Sequence, residues 1–574
     1  MAADTNQNGA EELRAFRRQS RALYWIVALF SLFATLLTLT GPIYMLQVYD
    51  RVLGSGSQET LLALSLLVVF LYCVLGLLDG ARARISSRIA ARFQTAAEAR
   101  VFDATLRQRH PAAATGLNDL DAICRGLSAQ IIGAIFDLPW TPIFFAVIFV
   151  FHPLLGLLSV AGAIALIVIT CANQVFSRRD QTHATAVVIQ SKIMLSQLQA
   201  EAETVQALSM QQASFSKWKR MRMMALTHQL RVADVGSGLA ALTRMLRLML
   251  QSAMLGLGAW LVLSQQMTAG GILAASVLLG RALTPIETLL THWPVVQNAH
   301  QSWKQLASLL SRVPKVVPRI QLPKPDARLS LTGVTVFPPG ERRAVLRGLN
   351  FTLEPGQALG IIGPSGSGKS TLAKLLTGTW PVAAGTVRLG GAALDQYDPD
   401  MLGKHIGYLP QRLQLFDGSI AQNIARLQEV VDHEKVIAAA RSADAHDMIL
   451  ALPKGYDTLV VDGDARLSGG QIQRIGLARA LYHNPAVVIL DEPNSNLDSN
   501  GSVALNHAVR DLKSRGKLVL IMAHRPAAIQ ECDLLLMLDD GAQAAFGPKE
   551  EVMGRMVKNA NSIRAIPKKA AGAA

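Results

Sequence analysis

Nine consecutive residues, Gly363-Pro364-Ser365-Gly366-Ser367-Gly368-Lys369-Ser370-Thr371, restrict the chain around them to a strand, a glycine-rich loop and a helix. The apolar run Ala358 to Ile362 precedes them, and a helix-like stretch, Leu372 to Leu376, follows. Gly363, Gly366 and Gly368 allow backbone N–H groups to wrap phosphates, and the N-terminus of the following helix adds a favourable dipole. In such a loop Lys369 reaches the β and γ phosphates and the Ser370 hydroxyl sits on Mg²⁺. The competing reading is a plain glycine turn before a helix.

A second feature weighs against that plain reading. Val487 to Leu490 is a short apolar run of the buried-strand type, and it ends in Asp491 and Glu492. Carboxylates at the end of a buried strand need a charge to answer. Asp491 fits a residue that holds Mg²⁺, and Glu492 fits one that polarises an attacking water. With Pro493 and Asn494 next, a solvated helix cap is the alternative.

The amino-terminal half imposes a different constraint. A bilayer core takes about 20 apolar residues per helix, and the first 300 residues offer six such runs: Leu23 to Val48, Thr60 to Leu78, Ile131 to Phe151, Pro153 to Phe176, Met245 to Leu263 and Gly271 to Trp293. Arg281, Pro285 and Glu287 interrupt the last, whose alternative is a long amphipathic helix lining a cavity. At 574 residues, half of them hydrophobic, the chain suits a membrane half joined to a soluble half. The net charge of +15 invites a nucleic-acid reading, but the basic residues follow membrane topology and form no aromatic-interleaved patch. No nucleic-acid partner is expected.

Arginine and lysine bias sets the orientation. Arg14, Arg17, Arg18 and Arg21 precede the first span. The connectors Asp50 to Glu59, His152-Pro153 and Ser264 to Gly270 carry one basic residue among them, whereas the two long connectors between are crowded with arginine and lysine. The amino terminus, both long connectors and the carboxyl-terminal half are therefore expected in the cytoplasm. Helices should continue past the membrane as stalks, with bends near Leu117 to Gly126 and Ala207 to Trp218 as candidate docking elements.

The expected organisation is a cytoplasmic segment 1–20, a transmembrane domain 21–312, a proline- and lysine-rich linker 313–328, a nucleotide-binding domain 329–557 and a disordered tail 558–574; Met1 to Gly9 are also expected to be disordered. The first apolar run is too long for a secretory signal and is read as a retained anchor. Cys73, Cys124, Cys171 and Cys532 have neither paired nor metal-ligand spacing and are read as reduced thiols without catalytic work.

The phosphate loop, Leu467-Ser468-Gly469-Gly470-Gln471, the Asp491-Glu492 pair and His524 occur in the order and spacing of ABC-type nucleotide-binding domains, which the carboxyl-terminal 240 or so residues resemble. That resemblance implies an obligate pairing of two such domains, with Ser468, Gly469, Gly470 and Gln471 of one closing on the ATP held by the other. It assigns Gln411, in Tyr-Leu-Pro-Gln, to the loop that touches Mg²⁺ and contacts the membrane domain. It assigns Asp498 to the D-loop and His524 to the γ-phosphate sensor. Two departures stand out: Ile472 replaces an arginine after the signature, and Phe337 is the one candidate for stacking on adenine, shifted by one residue.

The membrane half resembles the type I secretion ATPases, particularly the PrtD group, in Gly41-Pro42-Ile43-Tyr44-Met45-Leu46-Gln47-Val48-Tyr49-Asp50-Arg51-Val52-Leu53 and Phe136-Asp137-Leu138-Pro139-Trp140-Thr141-Pro142. The same group carries asparagine at positions equivalent to Asn494 and Asn496. The implied fold is a six-span α-helical exporter domain with long cytoplasmic extensions, fused to an α/β P-loop domain. The implied function is ATP-driven export of unfolded polypeptides bearing a carboxyl-terminal signal, such as calcium-binding repeat proteases or lipases, by a homodimer in the inner membrane. A periplasmic adaptor and an outer-membrane channel would complete the conduit. With about 20 residues before the first span, no cargo trimming is expected. Two rivals remain: an exporter or flippase of lipid, glycan or small amphiphile, and a soluble ATP-dependent repair or chromosome-organising protein; cavity-facing Arg244, Arg247, Arg281 and Glu287 suit a hydrated path, although anionic lipids could also use the arginines.

Overall fold

The computed structural model describes residues 9–107, 116–315, 319, 322–338, 341, 343–461, 467–495, 499–523 and 526–554. The chain divides into two compact units, Met1–Lys315 and Val316–Ala574.

The first unit is helical. An amphipathic helix α1 (Gly9–Arg18) is followed by α2 (Arg21–Thr38), α3 (Thr40–Gln47), a π-helical turn (Val48–Val52) and the short α4 (Leu53–Ser55). Gly9, expected to be disordered, opens α1, and its N–H donates to Ser311 Oγ at 2.8 Å. Three very long helices then dominate: α5 (Gln58–Arg107), α9 (Pro153–Ala200) and α11 (Gln211–Leu263), of 50, 48 and 53 residues. At 1.5 Å per residue each runs about 70–80 Å, more than twice a hydrocarbon core. Between and after them lie α6 (Gly116–Gly126), α7 (Ala129–Asp137), α8 (Thr141–Phe151), α10 (Ala202–Ala207), α12 (Ala269–Thr291) and α13 (Trp293–Arg312).

Among the described residues, five helical stretches are long and apolar enough to cross a membrane: Arg21–Ser55, Gln58–Arg107, Ala129–Phe151, Gln211–Leu263 and Ala269–Thr291. A sixth, shorter apolar stretch, Pro153–Ile169, begins α9, so all six expected runs lie on helices. Helices of this length and apolarity weigh against a soluble reading of the chain. The interrupted last run holds together as α12, more than half buried and with Pro285 inside it. Glu287 is answered there by Arg247 Nη1 at 2.6 Å.

Of the two expected bends, one stretch is occupied by a helix and the other contains the reversal, within Ala207 to Trp218. Leu117 to Gly126 form α6, which buries Leu120 and Ile123 with Leu13 of α1, Phe93 and Val101 of α5, and Leu306 and Leu309 of α13. The adjoining residues 108–115 lie outside those described. In the second connector the chain reverses at Leu208–Met210, where Ser209 adopts φ +53°, and Gln211 to Trp218 already belong to regular helix.

Charged pins tie the spans together, and two sit in the stretches that carried the family resemblance. Asp137 accepts from Arg82 Nη1 on α5 at 2.5 Å and from the buried Ser31 hydroxyl on α2, so three spans converge on one carboxylate. Asp50, in the π-helical turn, accepts from Thr268 Oγ1 at 2.7 Å and from the Gly270 N–H at 3.1 Å, capping the N-terminus of α12. A Cβ at Gly270 would lie 2.7 Å from that carboxylate and 3.1 Å from the Leu46 carbonyl, so a larger residue there would displace the cap.

The second unit is built on a ten-stranded mixed sheet. Its strands are β1 (Leu329–Val336), β2 (Leu346–Leu353), β3 (Ala358–Ile362), β4 (Ala384–Leu389), β5 (Ala392–Ala393), β6 (Ile406–Leu409), β9 (Val487–Asp491), β10 (Leu518–Met522), β11 (Leu534–Asp539) and β12 (Ala542–Pro548); β7 (Gly418–Ser419) and β8 (Leu459–Val460) pair separately. The order is β5-β4-β1-β2-β12-β11-β3-β10-β9-β6, in which β11, β3, β10, β9 and β6 are parallel. The parallel strands read as apolar runs because both faces are covered. Helices α14 (Lys369–Leu376), α15 (Pro399–His405), α16 (Ile420–Ile424), α17 (His433–Ser442), α18 (His446–Leu450), α19 (Gly469–Leu481) and α20 (Ser499–Ser514) complete the unit.

Replacing Asp137 by alanine strands the largely buried Arg82 guanidinium with Asp79, 3.1 Å away, as its remaining acidic partner. We expect a loss of about 2–3 kcal/mol, read as a lower denaturation midpoint in detergent. An unchanged midpoint would show that the pin contributes nothing.

Candidate nucleotide site

The parallel strands end together, and their carboxyl ends gather the site residues, where ligands of open α/β sheets bind. Strand β3 is central, flanked by β10 and β11, and delivers the loop Gly363–Gly368 at its end. Positive φ angles of +153°, +81° and +100° at Gly363, Gly366 and Gly368 bend the backbone back on itself. At Gly363 a Cβ would collide with the Leu538 carbonyl, and at Gly368 it would meet Leu346 Cδ2 at 2.6 Å.

Lys369 opens α14 and is nearly buried. Its ammonium donates to the carbonyls of Gly363 and Pro364, both at 2.8 Å, and so closes the loop on itself. Burial lowers its pKa, while the nearby Glu492 and Asp491 carboxylates pull it back up. The buried Ser367 hydroxyl has no hydrogen-bond partner. An orphaned buried hydroxyl and an ammonium parked on carbonyls, inside a ring of positive-φ glycines, fit a phosphate chain.

Strand β9 is buried at every residue. Asp491, 3% exposed, ends it and accepts a hydrogen bond from the Ser370 side chain. Burial raises the Asp491 pKa; the Ser370 bond opposes this, the Glu492 charge adds to it, and Lys374 and Lys369 counter it. A hydroxyl and a carboxylate held together beside a phosphate loop are the hard oxygen donors that Mg²⁺ takes. Glu492 follows with φ +53°, a conformation rare for a non-glycine residue, and its N–H donates to the Met522 carbonyl of β10 at 3.0 Å. The turn re-aims the glutamate out of the strand direction.

Gln411 lies two residues beyond β6, whose Leu409 pairs with Leu490 of β9, so the sheet register brings it to the same edge as Asp491; it is exposed. Phe337 follows β1 and is 39% exposed. The Val345 N–H donates to the Val336 carbonyl beside it, and the Val345 carbonyl lies 3.3 Å from a Cβ built at Gly368. This end of the β1–β2 hairpin therefore flanks the loop. Pro364, Ser365, Gly366 and Thr371 lie within the same loop and helix start. Asp498 and His524 lie outside the described residues.

The signature forms the N-terminus of α19. Ser468 Oγ accepts from the Gln471 N–H at 3.3 Å, and Gln471 Oε1 accepts from the Ser468 N–H at 2.8 Å, a reciprocal cap that leaves Ser468 and Gly469 exposed. Ile472 continues the helix, its N–H donating to the Ser468 carbonyl at 3.0 Å. The spacing placed Gln473 after the signature but did not show its contact: it is buried and donates to the Pro493 carbonyl, joining α19 to the turn after Glu492. Nor did it give Tyr408, whose hydroxyl is pushed up to about 12 by burial and by the Asp491 charge. A cavity of about 570 Å³ between α17 and α20, lined by Arg441, Asp444, His507 and Asp511, contains none of these residues.

Comparison with known proteins agrees with this geometry. Residues 346–495 match the ABC transporter family, and residues 24–285 match the ABC transporter transmembrane region. Over 546 residues, 94% of both chains, the sequence is 42% identical to the type I secretion system ATP-binding protein PrsD of Rhizobium meliloti. It is 29% identical to the cyclolysin secretion/processing ATP-binding protein CyaB of Bordetella pertussis, over 93% of this chain and 76% of that one. The alpha-hemolysin translocation ATP-binding protein HlyB of Escherichia coli O157:H7 is 28% identical over 92% and 76%. The fold superposes on the structure of a bacterial Atm1-family ABC exporter with ATP bound at a TM-score of 0.77 and 22% identity, covering 96% of this chain and 99% of that one.

A raised Asp491 pKa means that the folded protein takes up its proton more readily than the unfolded chain, so stability falls as pH rises from the ordinary aspartate value through the raised one. Asp491→Asn should therefore raise the unfolding temperature of the nucleotide-free protein near neutral pH. The gain should vanish as pH drops to the ordinary aspartate range. A lower unfolding temperature at neutral pH would contradict this.

Proposed function

The chain belongs to the type I secretion ATP-binding proteins of the ABC transporter family, ATPases coupled to export across a membrane, and from that premise we propose a homodimeric polypeptide exporter of the bacterial inner membrane. The observation that carries this reading is the joining of an intact phosphate loop and Asp491-Glu492 pair to a membrane half of matching family. The amino terminus and nucleotide domain face the cytoplasm, in keeping with the arginine bias. A periplasmic adaptor and an outer-membrane channel extend the path, and the cargo is an unfolded polypeptide carrying a carboxyl-terminal signal.

In this account the loop amides and Lys369 bind the β and γ phosphates, Lys369 exchanging its two carbonyl partners for phosphate oxygens. Ser370, Asp491 and Gln411 would hold Mg²⁺, which supplies charge neutralisation at the phosphates. Glu492 orients the attacking water and accepts its proton. Phe337 supports the adenine. The exposed Ser468-Gly469 tip is free to meet the second copy's nucleotide, with Gly470 and Gln471 behind it, and Asp498 and His524 take the D-loop and γ-phosphate roles. Closure of the two domains must be favoured by ATP over its products for hydrolysis to reset the cycle.

Glu492→Gln should bind ATP yet lose at least a hundredfold in hydrolysis, an amount typical of removing a general base. Lys369→Ala should weaken nucleotide binding itself. Near-normal turnover in either variant would sink the assignments. The export reading is tested by ATPase activity in lipid with carboxyl-terminal peptides of secreted proteins added. Modulation by one peptide and not by its scrambled form is expected; response to lipids or amphiphiles alone would transfer the reading to a flippase.

A further inference from the structure

The helix α5 carries six arginines between Arg82 and Arg107, and they divide sharply. Arg82, Arg100 and Arg107 have acidic partners in Asp137, Glu12 and Asp103. Arg84, Arg88 and Arg92 are exposed and, among the described residues, form no ion pair. They stand four residues apart, on the side of α5 away from its buried Ser86, Ile89, Phe93 and Ala97. Every residue three or four positions from each of them is non-acidic, so the row is uncompensated along its own helix. Like charges at this spacing repel by a few tenths of a kcal/mol per pair.

We propose that this row is a docking rail for an acidic, extended segment of the exported polypeptide. The inference rests on the export reading above and specifies the charge of its cargo. Two geometric facts choose this occupant. The apolar run of the second span ends at Leu78, so at 1.5 Å per residue Arg84, Arg88 and Arg92 lie about 9, 15 and 21 Å farther along the helix. The headgroup layer is only about 5–8 Å deep, and lipid phosphates therefore meet Arg84 at most. Four helical residues advance about 6 Å, and two residues of an extended chain advance about 6.6 Å. Carboxylates on alternate residues of an unfolded strand thus meet successive guanidinium groups. Its contacts are exposed and exchange readily, as a passing chain requires.

The test uses the full-length protein in phosphatidylcholine nanodiscs and a fluorescent Gly/Ser peptide with aspartate at six alternate positions, beside its asparagine counterpart. Wild type should bind the aspartate peptide about tenfold tighter, the gain expected from three exposed pairs, and lose that preference in high salt. The Arg84→Gln/Arg88→Gln/Arg92→Gln variant should keep basal ATPase activity and lose the preference. The corresponding triple glutamate variant should instead prefer a lysine peptide, a gain that an unfolded protein does not show. Equal binding of both peptides by wild type, or a preference that survives the glutamine variant, overturns the rail. A preference seen only when phosphatidylglycerol is present makes the row a lipid site and overturns it too. Authentic carboxyl-terminal peptides that still modulate the ATPase would show that the rail alone had failed and not the export reading.

Discussion

A buried ammonium and a buried carboxylate at the end of one sheet set the terms for the nucleotide unit. Neither Lys369 nor Asp491 is tolerable there alone, since removing an ion from water costs several kcal/mol even after relaxation. Lys369 is held by two loop carbonyls and Asp491 by Ser370, with their opposite charges adding to both. That arrangement needs β3 and β9 in one parallel sheet with β10 between them, and it needs α14 to begin at once after the loop. The apolar strands, the glycine conformations and the helix start all serve to place these two groups.

The membrane half follows the same rule with different partners. Three charged contacts tie its helices: Arg82 with Asp137, Arg247 with Glu287, Asp50 with the N-terminus of α12. Each pair joins helices far apart in sequence, so the helices are fixed relative to one another where apolar packing alone leaves sliding permitted. Arg84, Arg88 and Arg92, by contrast, form no ion pair among the described residues.

Much of this was legible in the chain because it depends on spacing. The loop glycines, Lys369, Ser370 and Asp491 are fixed by local strand-loop-helix geometry, and the spans by length and apolarity. What spacing does not encode is conformation and long-range contact. The positive φ of Glu492 is imposed by its bond to Met522, thirty residues on, and the Gln473–Pro493 bond joins two motifs that read as separate. The first connector's bend was misplaced because Leu120 and Ile123 have the periodicity of a packed helix, which α6 is. The second falls inside the expected stretch, but its exact position is not marked in the chain: the reversal is made by Ser209 in a left-handed conformation, where no glycine or proline signals it. Arg247 and Glu287 read as cavity charges because their pairing across α11 and α12 is a tertiary fact.

The central claim is that ATP chemistry at this sheet edge moves polypeptide through the membrane half. The most direct measurement places a photo-crosslinker at position 281, an exposed site on α12, in cells producing the Glu492→Gln protein, and identifies what is captured. The account predicts a polypeptide adduct, resistant to lipid extraction and digested by protease, that is enriched over the Lys369→Ala background. Capture of lipid alone in both backgrounds would contradict it.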